Sequence, residues 1–167
     1  MPQDTSQLTL TGRILLWTLR HWLRAQRQER DLPGYVLHTV AQLPDGEALR
    51  ERTEALLAHL LIGSARPFAS AAPDAGALTN DEVRFLLALH ACRLDLRDEA
   101  RRLLSEQQGA NGLRATTSAL VSVEACLRVH GLSALPVDAA PRTDFGGDLP
   151  ETSEATAAGP SGSAGTH

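Results

Sequence analysis

Cys126 and His130 stand four residues apart in a stretch of helical periodicity, a spacing at which one helix face can offer a thiolate and an imidazole to zinc. His90 and Cys92 are two apart, which on a helix sends them to different sides. Neither pair is completed by CxxC, HExxH or a second ligand pair. Free cysteines are among the residue types most often buried, so both thiols are expected to be reduced core residues, with no metal. Other chemistry is equally thin. The chain has no GxSxG and no GxGxxG after a strand. Glu54 and His59, five apart, do not share a face well, and adjacent Asp98 and Glu99 diverge. Lysine is absent, which excludes a Schiff-base or P-loop lysine. The expectation is a protein that is not an enzyme and carries no cofactor, with an unrecognised enzyme as the third-ranked reading.

The richest cluster of side chains is RILLWTLRHWLRAQRQER, residues 13–30. Arg13, Arg20, Arg24 and Arg27 fall at i, i+7, i+11 and i+14, one stripe of a helix, opposite Leu15, Leu19 and Trp22. Trp17 lies among Arg13, Arg20 and Arg24 on the basic side, where an indole can stack under a guanidinium or anchor a partner. Leu19 and Trp22 are expected to be buried, and Arg20, Arg24 and Arg27 exposed. Arg13, Trp17, Arg20, Arg24 and Arg27 are therefore the candidate partner-binding residues. The function expected is a non-catalytic protein–protein interaction module: an adaptor, chaperone-like accessory or regulatory protein docking through this face. The alternative is a peripheral binder of anionic surfaces, membrane or nucleic acid, through the same residues. No small-molecule substrate is implied.

Six helical segments must position these residues. The first runs from about Leu10 to Arg30, with Thr9 or Thr11 as cap. Asp31-Leu32-Pro33 opens a second, and Pro44-Asp45-Gly46 turns into a third over roughly Glu47 to Ile62. Residues 64–78, small and punctuated by Pro and Gly, read as a connector outside the core. Thr79 with Glu82 three places on is a capping-box signature for a fourth helix ending near Arg93. A fifth is expected from Arg97 to Gln108, and a sixth from Leu113 to His130, stopped by Gly131 at C′. No alternating β pattern of useful length is present. The fold class expected is all-α, a single small bundle of helical hairpins over 8–132, with 10–62 and 79–130 as packed sub-units.

Residues 81–112 resemble one tetratricopeptide repeat. Aligning Ala100 with the small residue that opens the repeat's second helix also places Leu87, Ala88 and Leu104 on repeat positions. Arg84 and Ala91 stand where its aromatics would, Gly112 where proline is common, and no second repeat is present. The resemblance implies a packed antiparallel helix pair, as in any bundle. The same hairpin is a poor helix-turn-helix, because Asp98, Glu99 and Glu106 accompany Arg97, Arg101 and Arg102 and would face phosphates.

Composition bounds the rest. At 167 residues the chain suits one domain, and a net charge of −4 argues against a general polyanion binder. All 16 basic residues are arginine and isoleucine occurs only at 14 and 62, the bias of a GC-rich and so bacterial genome. No stretch approaches the ~20 apolar residues of a membrane span and no secretory signal is read, so a soluble, cytoplasmic protein is expected. From Val137 the residues turn small, polar and acidic, and 137–167 are expected to form a disordered tail. Charge is polarised along the chain. Five arginines against Asp4 and Glu29 give residues 1–30 a formal +3, while five acids against Arg142 give residues 138–167 a formal −4.

Overall fold

The computed structural model describes residues 1–136; the expected disordered tail, 137–167, lies outside them. Among the described residues the chain forms a short 3-10 turn, Thr5–Gln7, and six helices: α1 Leu10–Arg27, α2 Gly34–Ala41, α3 Gly46–Ile62, α4 Asn80–Arg93, α5 Arg97–Leu104 and α6 Ala110–Val129. The all-α bundle read from periodicity is the fold observed. None of these helices is long and apolar enough to cross a membrane.

One continuous core joins every helix, with Leu16 and Leu19 from α1, Val40 from α2, Leu56 from α3, Leu86 and Leu89 from α4, Leu104 from α5, and Leu120 and Leu127 from α6. α2 packs on α1 and α3, α3 runs along α6, and α4 packs on α5 and α6. The α3–α6 contact is close enough to demand glycine. A Cβ on Gly112 would lie 2.2 Å from the Cα of Gly63. Gln108 fastens the same joint, donating to the Leu60 carbonyl at 3.0 Å and accepting from Thr116 Oγ1 at 2.9 Å.

Helix ends explain where the expected boundaries miss. Three helices close with a residue in the left-handed region followed by a 6→1 backbone bond: Arg30 to Ala25, Leu96 to Ala91 and Leu132 to Leu127. Gly131 fills this position after α6 as its residue type suggests, but Glu29 and Asp95 fill it after α1 and α4. Lacking a glycine, α1 reads from sequence as running on to Arg30, and it stops at Arg27. Gly46 is required for another reason than turn flexibility. Asp45 takes the positive φ, and a Cβ on Gly46 would lie 2.0 Å from the Ala41 carbonyl oxygen.

The 64–78 connector is not outside the core. Phe68 and Pro73 are buried, and the segment crosses α1 and the start of α4. Arg66 makes a two-pronged contact with Asp81, whose carboxylate also accepts from the Ala69 amide at 2.8 Å. At the far end of the fold, Thr9 donates to the Ser133 carbonyl, and Gly12 abuts the Ala134 backbone. The residues after α6 are thereby pinned to the first turn of α1.

Glu124 on α6 is buried and pairs with Arg93 of α4 at 2.8 Å, while Arg93 also holds the Leu132 carbonyl at 2.6 Å. Burial raises the Glu124 carboxyl above its ordinary 4.5, and the Arg93 bond with the Arg93 and Arg128 charges only partly offsets it. The folded state then binds this proton more tightly than the unfolded state. Glu124 therefore makes stability fall as pH rises from 4.5 through its folded value, and adds to stability as pH drops. Urea unfolding of wild type and Glu124→Gln across that range should give a difference that varies with pH in this sense. A flat difference would remove the shifted carboxyl from the account.

Candidate functional site: the aromatic and arginine surface of α1 and α2

The arginine stripe does not survive as one face. Arg20, expected in solvent, is 2% exposed. Its guanidinium pairs with Glu82 through Nε at 2.8 Å and Nη2 at 2.9 Å, and donates to the Ala75 and Ala77 carbonyls at 2.6 and 2.8 Å. The cause is the connector, which crosses α1 over this stripe and leaves a charge no alternative to full pairing. Arg27 is exposed but tied to the same segment, donating to the Phe68 carbonyl at 2.7 Å and Ser70 Oγ at 3.0 Å. Arg13 and Arg24 are exposed, Trp17 is half-buried, Leu19 is buried, and Trp22 packs half-buried against the core.

What the fold assembles instead is a neighbouring stripe, Trp17, His21, Arg24 and Gln28, at i, i+4, i+7 and i+11. α2 lays Tyr35 across it. The rings of Trp17 and His21 have centroids 4.2 Å apart, and those of Trp17 and Tyr35 6.0 Å apart at 46°. Tyr35 completes the triangle edge-on to His21 at 6.2 Å and remains 58% exposed. Beside the rings opens a groove of about 220 Å³, edged by His21, Arg24, Gln28, Arg30, Asp31 and Tyr35.

Among the described residues, Arg13, Arg24 and Arg30 form no salt bridge. Burial lowers the His21 pKa, the Asp74 charge opposes this, and Arg24 adds to the lowering, which shifts the ring toward its neutral form. The surface therefore offers flat apolar area, neutral hydrogen-bonding groups and two unpaired guanidinium groups, with Asp31 at the rim. That combination can seat an aromatic side chain flanked by carboxylates. Sequence reasoning reached Trp17 and Arg24. It missed His21, whose i+4 spacing from Trp17 was legible, and Arg30 and Tyr35, which arrive through the chain reversal between α1 and α2.

The thiols take no part. Cys92 is buried, and burial together with the Glu124 charge pushes its pKa up to about 11. Cys126 is buried with its thiol donating to Asp45 over 3.6 Å, while His130 is exposed. Among the described residues no three His, Cys, Asp or Glu side chains converge to hold a metal. At pH 8 Cys92 should hold roughly two orders of magnitude less thiolate than an ordinary thiol. Labelling with a thiol reagent should accordingly be slow in the native protein and fast in denaturant; rapid native labelling of Cys92 would contradict the burial.

Compared with protein-family models, with curated proteins and with solved structures, the chain matches none, so the reading of this surface rests on its geometry.

Proposed function

We propose that this chain is a non-catalytic helical interaction module that docks an acidic, aromatic-bearing segment of a partner protein against α1 and α2. The observation that carries the reading is the packed triangle of Trp17, His21 and Tyr35, open to solvent beside the unpaired Arg24 and Arg30. Trp, Tyr and Arg are the residue types that dominate binding hot spots, and rings already packed on one another lose little freedom when a partner arrives. The chemistry favours a protein over a lipid or nucleic-acid surface. Asp31 shares the groove and Asp74 acts on His21, so the local field is mixed, whereas a polyanion surface rewards a one-signed patch.

The test tracks the indole N–H signals of Trp17 and Trp22 by NMR in the full chain. Short acidic peptides with one phenylalanine, the same peptides with alanine instead, and anionic phosphatidylserine vesicles are titrated in turn. Saturable movement of the Trp17 signal, dependent on the phenylalanine and lost in Arg24→Glu, is expected. A Trp17 signal that no peptide moves, or that responds only to vesicles, would overturn the reading.

A further inference from the structure

The described residues end at a definite place, and residues 138–151 carry in their sequence the chemistry the groove would take. Thr9 at the head of α1 holds the Ser133 and Ala134 carbonyls, so the described residues end, at Pro136, close to the first turn of that helix. Arg24 lies ~18 Å further along α1 than Gly12, at 1.5 Å per residue. Residues 137–144, extended at ~3.3 Å each, span about 26 Å, enough to bring Asp144 and Phe145 to the groove. Phe145 is the sole aromatic residue after Phe85, and it stands in DFGGDLPE, residues 144–151, between Asp144 and Asp148 with Glu151 beyond. An aromatic side chain flanked by carboxylates is the ligand that the ring triangle and the two unpaired arginines select.

We propose that residues 144–151 of the same chain occupy the α1–α2 groove, with Phe145 on the Trp17–Tyr35 rings and Asp144 and Asp148 facing Arg24 and Arg30. This rests on the interaction surface described above and gives it a resident competitor. Tethering holds such a segment at an effective concentration in the millimolar range, so a contact weak in itself still covers the site part of the time. A partner must displace it. The charge component is exposed and screened, so the competition fades with salt.

The experiment keeps the full chain. A peptide of residues 141–154 is titrated into wild type and into the variant Phe145→Ser/Asp148→Asn, reading the Trp17 indole signal at low and high salt. Several-fold tighter binding to the variant than to wild type, with the gap closing at high salt, is expected. Equal affinity for the two would overturn the resident segment while leaving the surface intact, whereas binding to neither would remove both. A photo-crosslinker at position 28 supplies a second readout. Irradiation should join it to residues 138–167 at monomer mass with a yield independent of protein concentration. A product of dimer mass that grows with concentration would assign the groove to a second copy, and overturn the proposal.

Discussion

Glu82→Ala should lower the unfolding free energy by ~3–5 kcal/mol, the loss typical of breaking a buried ion pair from one side. The side chain is fully buried and does three jobs at once. It closes the capping box of α4 through the Thr79 amide at 2.9 Å, accepts from the Ala71 amide at 3.0 Å, and neutralises Arg20. Removing it strands a guanidinium at 2% exposure with only the Ala75 and Ala77 carbonyls left to satisfy it. At ~2–4 °C per kcal/mol for a domain of this size, the midpoint of thermal unfolding should fall by ~6–20 °C. Arg20→Met/Glu82→Leu separates the charge from the wiring. Apolar replacement of both partners of a buried pair is often neutral. Here, however, two carbonyls and one amide of the connector, with the Thr79 amide that caps α4, lose their partners as well, and each buried group left unsatisfied costs ~1–3 kcal/mol. The double variant should therefore remain destabilised. A double variant as stable as wild type would show that the connector's backbone finds water instead, and that the pair is dispensable.

That pair also marks the limit of what the sequence discloses. The capping box at Thr79 and Glu82 is local, a matter of side chains reaching their own helix's first turn, and so it is legible from spacing alone. The Arg20–Glu82 bond spans 62 positions and depends on where the connector runs. A segment of Ala, Ser, Pro and Gly carries no periodicity from which to read that course. Helical phase puts Arg20 opposite Leu19 and Trp22, and the geometry of α1 obeys that phase. What phase does not disclose is that a second layer, residues 68–77, lies over the supposed solvent side and claims Arg20 and Arg27 for its carbonyls. The candidate site moves around the helix accordingly, from the arginine stripe to Trp17, His21 and Arg24. The missed end of α1 has a similar origin. A left-handed residue is announced by glycine, as at Gly131, and concealed when Glu29 or Asp95 accepts the strain instead.

Leu19→Ala, the second large expected effect, isolates the core from everything else α1 does. Leu19 is 0% exposed, in the same helix as Leu10, which is 64% exposed. Alanine at either position changes helix propensity alike, so the difference between the two variants reports burial. Truncating a leucine in a closed core removes its transfer free energy and leaves a cavity, together ~2–5 kcal/mol, while Leu10→Ala should stay within ~0.5 kcal/mol of wild type. Collapse around the vacancy is limited because α1 is held at its head by Thr9 and Gly12 on Ser133 and Ala134, and at its middle by Arg20 on Glu82. Held at two points, the helix cannot shift far to fill the space, which places the loss toward the upper part of that range. Paired urea titrations of the two variants measure it. Equal midpoints would mean that α1 does not bury Leu19, and the ring surface on its other side would lose the helix that carries it.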